Sequence, residues 1–227
     1  MSRYVIVGST GDIGKKLHEQ LSTEETITFS REKEPEYEST HHFLDLSHAQ
    51  DKTVIEGFFN GVDGIDGLIW CPGYSLFSLV QDTALDEVDA QYNISIRNLV
   101  AFIQVLLPKL RRKKGRIIVI TSIWGRHGAS YESIYASMKG AQEALIKSLA
   151  KELAPTGVTV NGVAPGIVEG SMTALLSEAD QHHLLEELPQ ACYVKPAEVM
   201  HAVQYLLHEN AQSVTGEIMN VNGGWYT

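Results

Sequence analysis

The sequence contains few cysteines and no long apolar run. Two cysteines in 227 residues, Cys71 and Cys192, provide no disulfide framework and are typical of a reducing compartment. No stretch of about 18 apolar residues exists that would cross a membrane, and the strand-like residues 3–7 follow the start of the chain without an apolar signal stretch. These absences predict a cytoplasmic protein without a membrane partner.

Positive charge is also scarce. The chain has 18 lysines and arginines against 28 aspartates and glutamates, a formal net charge of −10. This excess of acid disfavours nucleic acid or an anionic membrane surface as the principal partner. A basic cluster at residues 109–116 lies between a predicted helix and a predicted strand, where we expect a solvated turn.

Linkers, internal repeats and low-complexity runs are missing too, and the seven prolines fall singly. With 44% hydrophobic residues the chain is long enough to bury one substantial core. We therefore expect a single domain over residues 1–227.

Short β-branched runs alternate with segments of helical periodicity. Strands are predicted at residues 4–7, 26–29, 42–44, 68–70, 116–120, 158–163 and 218–221. Helices are predicted at residues 13–21, 53–60, 85–107, 133–153, 177–188 and 196–208. This alternation predicts an α/β fold: a doubly wound, seven-stranded parallel sheet with helices on both faces and ligands at the carboxyl ends of its strands.

A glycine-rich turn follows the first predicted strand and enters a helix. Glycine lets the backbone approach an anion, and the free amides and the positive end of the helix dipole meet the negative charge. The order of strand, turn and helix therefore predicts a site for the pyrophosphate of a nucleotide. The predicted contacts are Gly8, Ser9, Thr10, Gly11, Asp12 and Ile13.

The end of the second predicted strand indicates which nucleotide binds. A fold that prefers NAD places an acidic residue there to hold the ribose 2′-hydroxyl, but this chain has Ser30 and Arg31. Arg31 suits a 2′-phosphate, through charge-assisted hydrogen bonds worth about 1.5–3 kcal/mol each, so we predict NADP(H) rather than NAD(H). Glu32 and Glu34 weaken this prediction, and a solvated charged loop is the alternative.

Tyr135 and Lys139 lie four residues apart on a predicted helix, which places a phenol and an ammonium on one face. A free tyrosine titrates at about pH 10, and a cation at about 4 Å favours the phenolate by roughly 4 kcal/mol, enough to make an acid near neutrality. The same spacing is common on solvated helices. Ser122 follows the predicted strand at 116–120 and supplies a hydroxyl that could donate to a substrate carbonyl. Asn93 supplies a side chain that could hold a water molecule linking Lys139 to solvent.

Together these motifs resemble the short-chain dehydrogenase/reductase family over essentially the whole chain. Residues 164–173 and 215–227 look most like 3-oxoacyl-[acyl carrier protein] reductases and related ketoreductases. The matching residues are the tetrad Asn93, Ser122, Tyr135 and Lys139, the turn Pro165-Gly166, and the C-terminal signature at 221–225.

The resemblance implies a Rossmann fold and a reaction in which nicotinamide transfers a hydride to a ketone carbon. It implies that Tyr135 protonates the oxygen while Lys139 lowers the tyrosine pKa and holds the nicotinamide ribose. Ser122 would position the carbonyl, and Asn93 would support the water relay. The remaining cofactor contacts are expected at Asp45, Leu46, Cys71, Pro72, Gly73, Pro165, Gly166 and Val168.

Three positions depart from the family pattern. Phosphate binding can survive the first change, whereas the other two remove or displace a cofactor contact, so we predict weakened cofactor affinity, with a dissociation constant no lower than micromolar. The departures are Asp12 in place of the glycine before Ile13, Cys71-Pro72-Gly73 in place of Asn-Ala-Gly, and Gly170 in place of the threonine after Pro165-Gly166, with Ser171 beside it.

Residues 168–189, which close over the active site in such folds, carry acids but no lysine or arginine. An acidic carrier protein would be repelled there, so we expect a small ketone, an alcohol or an acyl thioester as substrate. His182 and His183 diverge on a helix and lack a third ligand, so we predict no metal site. The acids are Glu169, Glu178, Asp180, Glu186 and Glu187.

Two other functions stay open. The altered cofactor motifs permit a catalytically idle or regulatory nucleotide-binding protein, and the Tyr–Lys pair also serves epimerases and dehydratases that keep their cofactor through turnover. Retention of all four tetrad residues favours the oxidoreductase. The predicted helices 85–107 and 133–153 and the C-terminal strand resemble surfaces by which relatives associate, so we predict a homotetramer or a homodimer.

Overall fold

The computed structural model describes residues 1–33, 40–171, 173–175 and 177–226. Glu34, which bears on the cofactor prediction, lies outside the described residues. The strands are β1 (Arg3–Val7), β2 (Glu25–Ser30), β3 (Thr40–Phe43), β4 (Gly67–Trp70), β5 (Arg116–Ile120), β6 (Thr159–Pro165) and β7 (Ile218–Val221).

These strands form one parallel sheet in the order β3-β2-β1-β4-β5-β6-β7, which confirms the predicted topology. The chain winds outward in one direction from β1 to β3 and in the other from β4 to β7. The direction therefore reverses between β1 and β4, and the crevice at their carboxyl ends is where such a sheet binds ligands.

Helices cover both faces of the sheet. The longer ones are α1 (Asp12–Gln20), α2 (Lys52–Phe58), α3 (Leu85–Tyr92), α4 (Asn98–Lys113), α6 (Ser133–Leu153), α7 (Glu178–Glu187) and α8 (Pro196–Leu207). The shorter ones are α5 (Trp124–His127), a π-helical turn (Asn93–Arg97) and 3₁₀ turns at Ala154–Thr156, Thr173–Leu175 and Glu209–Ala211. In the described part of the chain, none is long and apolar enough to cross a membrane.

The side chains of β1 show how the sheet divides the core. Val5 and Val7 point to the face covered by α2, α4 and α6, where Phe102 of α4 meets the ring of Phe29 edge-on. Ile6 points to the opposite face, against apolar side chains of α1 and α8. Successive side chains of a strand point to opposite faces of the sheet. Because helices cover both faces, apolar residues run continuously through the central strands.

The helix predicted at residues 85–107 is not a regular α-helix over its whole length, because a π-helical turn interrupts it. Helix α3 ends at Tyr92, and the backbone N–H of Asn98 donates to the carbonyl of Asn93, a π-type bond that widens one turn before α4 begins. The buried Gln142 amide of α6 donates to the Ser95 carbonyl inside this turn at 2.9 Å. A long-range partner therefore satisfies a backbone group that a regular helix would bond locally.

The predicted turn at residues 109–116 is also wrong. Helix α4 continues through Pro108 to Lys113, so most of the basic cluster lies in its last turns, where positive charge complements the helix dipole. Lys109 donates to the Val62 carbonyl at 2.7 Å. Arg116 begins β5 and is buried.

Asn98 fastens the loop after β3 to the start of α4. Its Nδ2 donates to the carbonyls of Leu46 and His48, at 3.0 and 2.9 Å, and its Oδ1 accepts from the Gln50 N–H at 2.9 Å. The side chain is completely buried. The loop that this asparagine holds forms one wall of the crevice described below.

Replacing Asn98 with alanine is expected to lower the free energy of unfolding by about 2–3 kcal/mol, because it removes three hydrogen bonds at a site closed to solvent. Urea unfolding measures the change. Asn60→Ala, at an exposed asparagine, is the control and should shift stability by no more than about 0.5 kcal/mol. Equal effects of the two substitutions would show that the amide does not hold the loop.

Candidate active site

A cavity of about 360 Å³ lies at the carboxyl ends of β1, β2 and β4. The sequence predicted many of its lining residues: Gly8, Thr10, Gly11, Ser30, Arg31, Asp45, Leu46, Cys71, Pro72 and Gly73. Sequence reasoning missed Phe29, Leu44, Ser47, Tyr74 and Ile94. The missed residues are mostly apolar or aromatic and flank predicted ones, so position next to a strand end is the signal that would have found them.

The glycine-rich turn has the geometry of an anion site. Gly8 has φ +78°, and a Cβ there would lie 3.0 Å from the Pro72 nitrogen. A Cβ on Gly14 would lie only 2.1 Å from the Gly8 carbonyl oxygen, so the first turn of α1 packs directly on the loop. Helix α1 begins at Asp12 after Gly11, without a side-chain cap. The first turn of a helix carries backbone amides that have no partner within the helix, and these are the groups that bind an anion.

The far end of the cavity presents one positive and one negative group. Arg31 is exposed at the end of β2, and Asp45 lies half-buried after β3. The Ser47 N–H donates to Asp45 Oδ1 at 2.9 Å and lowers the pKa of that carboxyl, and the charge of Arg31 acts in the same direction. An ionised acceptor and an exposed guanidinium at one end of the cavity suit a ribose and its phosphate.

Tyr135 and Lys139 share the inner face of α6, at the other end of the crevice. The Lys139 Nζ lies 5.5 Å from the centre of the Tyr135 ring and donates to the Ile120 carbonyl at 2.8 Å. Lys139 is only 2% exposed. Burial penalises its charged form and lowers its pKa to about 8, opposed by the charge of Cys71.

The acidity of Tyr135 differs from the sequence expectation. Burial raises its pKa to about 12, a side-chain hydrogen bond with Ser122 lowers it, and the charge of Glu132 raises it further. We had expected Lys139 to lower this pKa. The net shift of the Tyr135 pKa is upward and therefore opposite to that expectation, because desolvation of the phenolate is its largest cause.

Ser122 and Asn93 are placed differently with respect to Tyr135. Ser122 follows β5, is buried, shares a hydrogen bond with Tyr135 and accepts from the Trp124 N–H at 3.3 Å. Asn93 lies in the π-helical turn, and its amide donates to the Ser47 carbonyl at 3.0 Å. The structure thus brings Ser122 to the tyrosine, while the relay role of Asn93 stays a prediction.

Gly73 joins the cavity to the tyrosine and lysine. A Cβ on Gly73 would lie 3.1 Å from Lys139 Nζ and 4.0 Å from a ring carbon of Tyr135. Burial raises the pKa of the neighbouring Cys71 thiol to about 12, although the charge of Lys139 opposes the shift, so Cys71 is not a nucleophile. Gly73 lines the cavity, so Tyr135 and Lys139 directly adjoin it.

Eight predicted cofactor residues do not line the cavity, and two of these, Tyr135 and Lys139, adjoin it at Gly73. Ser9 is buried, with its hydroxyl 3.4 Å from the Phe29 carbonyl that accepts from it, and Ile13 packs into the core between α1 and α8. The carboxylate of Asp12 turns away to Ser171. The other three continue from β6 beside the crevice: Pro165, Gly166 and Val168.

The segment beyond β6 carries an acidic surface. Glu169, Asp180, Glu186 and Glu187 are all exposed, whereas the Glu178 side chain lies outside what the structure describes. His182 and His183 are exposed on α7 and both approach Glu186, at 3.4 and 3.7 Å. Among the described residues, no group of three or more histidines, cysteines or acids is arranged to hold a metal ion.

Known proteins match the chain at these features. A family model described as enoyl-(acyl carrier protein) reductase matches residues 34–226. The uncharacterized oxidoreductase YmfI of Bacillus subtilis is 39% identical over 73% of this chain and 69% of its own length. A 3-oxoacyl-[acyl-carrier-protein] reductase of Aquifex aeolicus is 31% identical over 98% of this chain and 96% of its own length.

Solved structures agree with the sequence matches. The crystal structure of a short-chain dehydrogenase/reductase described as glucose/ribitol dehydrogenase, from Brucella melitensis, superposes with a TM-score of 0.89 at 25% identity. The match covers 100% of this chain and 97% of that one. The agreement therefore extends over the whole sheet and the crevice at its edge.

Proposed function

Because the chain belongs to the short-chain dehydrogenase/reductase family of oxidoreductases, we propose that it transfers a hydride between NADP(H) and a ketone or secondary alcohol. The observation that carries the proposal is the half-buried Tyr135, close to Ser122 and adjoining Lys139, beside a cavity that the glycine-rich turn lines. A phenol so placed can donate a proton beside a bound dinucleotide.

The residues present fit a dinucleotide. The Gly8–Gly14 contact leaves room for a pyrophosphate at the start of α1, and the crevice wall at Gly73 admits a ribose beside Lys139. Arg31 would hold a 2′-phosphate and Asp45 would contact the adenosine. The cofactor supplies the hydride when bound.

The protein residues orient the substrate and move the proton. Ser122 donates to the substrate oxygen and keeps it in reach of Tyr135, which delivers its proton as the oxygen becomes negative. Lys139 holds the ribose hydroxyls, and its positive charge stabilises the phenolate that remains. Asn93 is proposed to support the water that returns a proton through Lys139.

The substrate class follows from the relatives and the acidic surface together. The matching family model and the Aquifex aeolicus relative are both named as reductases of acyl carrier protein derivatives. The exposed acids from Glu169 to Glu187 oppose the docking of an acidic carrier. We therefore propose a small ketone or a carrier-free acyl thioester. The single domain over residues 1–227, the cytoplasmic location and the homotetramer or homodimer stay predictions from the sequence.

Spectrophotometric turnover tests the proposed function. With a panel of ketones and 3-oxoacyl thioesters, NADPH should be consumed in equal amount to the ketone reduced, and faster than NADH.

Replacing Arg31 with alanine is expected to weaken NADPH binding about tenfold or more and to leave NADH binding within about twofold, because only the 2′-phosphate loses a charged partner.

Lys33→Ala is the matched control, since Lys33 is an exposed cation two residues away, directed at the Phe43 ring at 5.8 Å. It should leave both affinities unchanged. Ketone conversion without net NADPH loss would point instead to an epimerase or dehydratase. An absence of turnover and of dinucleotide binding would leave the oxidoreductase proposal without support.

A further inference from the structure

Asp12 links two segments that are 159 residues apart in the sequence. Its Oδ2 accepts from the Ser171 N–H at 2.9 Å and from the Ser171 hydroxyl at 2.8 Å. Asp12 is the first residue of α1, at the phosphate-binding turn, and Ser171 belongs to the segment that follows β6. One carboxylate oxygen thus ties the turn to the segment that follows β6.

Gly170 is required by this contact. A Cβ on residue 170 would lie 2.3 Å from Asp12 Oδ2 and 2.6 Å from its Cγ, so a larger side chain would displace the carboxylate. Thr173 supports the same geometry, because its hydroxyl accepts from the Gly170 N–H and donates to the Gly170 carbonyl, both at 3.0 Å. Asp12, Gly170 and Ser171 are therefore compatible only as a set.

The position of Asp12 has an electrostatic consequence. A carboxylate in the first turn of a helix is stabilised by the helix dipole, which is the same field that attracts a pyrophosphate. Two anions at one helix start compete for that field. Asp12 is also exposed, so the competition is screened by solvent and amounts to a few-fold in affinity.

We propose that Asp12 is a positioning residue that latches Gly170 and Ser171 onto the phosphate-binding turn, and that its charge weakens the binding of the dinucleotide pyrophosphate. The departures from the family pattern at residues 12, 170 and 171 then form one compensated unit and not separate losses of cofactor contacts. The affinity half of this inference rests on the proposed function, whereas the latch does not.

Hydrogen–deuterium exchange of the protein without added cofactor tests the latch. Exchange at Ser171 should speed up about tenfold in Asp12→Gly, which removes the acceptor, and much less in Asp12→Asn, which keeps an acceptor oxygen. Gly170→Ala should speed it up to the level of Asp12→Gly, and combining the two substitutions should add nothing further. Unchanged exchange in Asp12→Gly, or fully additive effects, would overturn the latch.

Calorimetric titration with NADPH tests the charge effect. Asp12→Asn and Asp12→Gly should both bind about three- to fivefold more tightly than the unmodified protein. Glu169→Gln is the control, since it removes the same charge from an exposed side chain close to Ser171, and it should change affinity by less than about twofold. Equal or weaker binding by Asp12→Asn would overturn the charge effect.

The two measurements also separate this inference from the proposed function. If the unmodified protein binds neither NADPH nor NADH, the proposed function and the charge effect both fail, and exchange at Ser171 still decides the latch. If NADPH binds and Ser171 exchange is insensitive to Asp12, the function stands and the latch fails. Thermal unfolding of every variant confirms that each one is folded.

Discussion

Replacing Tyr135 with phenylalanine is expected to lower kcat for ketone reduction about 10³-fold, within the range that general acid catalysis contributes. The ring remains, so packing against Gly73 and Lys139 is kept and the NADPH dissociation constant should stay within about twofold. Only the hydroxyl that Ser122 contacts is lost. The measurement is single-turnover NADPH oxidation at saturating ketone, which reports chemistry separately from binding.

Tyr131→Phe provides a matched control. Tyr131 lies four residues before Tyr135, is exposed, and stacks on Phe77 with 5.4 Å between ring centres. The substitution also removes a phenolic hydroxyl near the crevice but not one bonded to Ser122, so kcat should stay within about twofold. The proton-donor role of Tyr135 is refuted if Tyr135→Phe keeps more than about a tenth of the turnover.

The sheet could be read from the sequence because its signals are local. All seven strands lie at or within a few residues of their predicted bounds, and strands alternating with helices leave few topologies. The crevice followed for the same reason, since every predicted loop begins where a strand ends. Ser30, Arg31 and Asp45 were found in this way and do line the cavity.

Several of the differences from the sequence predictions involve partners distant in sequence. The π-helical turn depends on Gln142 reaching the Ser95 carbonyl, 47 residues away, which helical periodicity does not register. The contact between Asp12 and Ser171 spans 159 residues, so the sequence predicted Asp12 as a cofactor contact and did not reveal its partner in the segment after β6. Spacing of four on a helix placed Tyr135 near Lys139, but it carried no information on burial, which decides the direction of the tyrosine pKa.

Replacing Lys139 with methionine is expected to have opposite effects on activity and stability. Turnover should fall about 10³-fold, because no cation remains to stabilise the phenolate or hold the ribose. At pH 7 the variant should nevertheless be more stable by about 1–2 kcal/mol. Lowering the lysine pKa from 10.5 to about 8 corresponds to a burial cost of about 3 kcal/mol, and the lost bond to the Ile120 carbonyl offsets part of the gain.

The same pKa shift predicts how the stability difference depends on pH. Below about pH 8 the lysine is protonated in both the folded and the unfolded chain, and the full cost of burying the charge applies. Between about 8 and 10.5 only the unfolded chain holds the proton, so the stability of the unmodified protein rises with pH relative to Lys139→Met. The advantage of the variant should therefore shrink steadily above about pH 8.

The titration of Tyr135 changes the folding stability with pH in the opposite direction. Its pKa is raised from 10.0 to about 12, so its contribution to stability declines as pH rises through that interval. The two groups are separated by comparing urea unfolding at about pH 7 and about pH 9.5, below most of the tyrosine titration. Lys147→Met replaces an exposed lysine of the same helix and is the control. Its stability relative to the unmodified protein should not show a gain at pH 7 that is lost at higher pH. A constant difference between Lys139→Met and the unmodified protein across this range would mean that the ammonium is not buried as the structure places it.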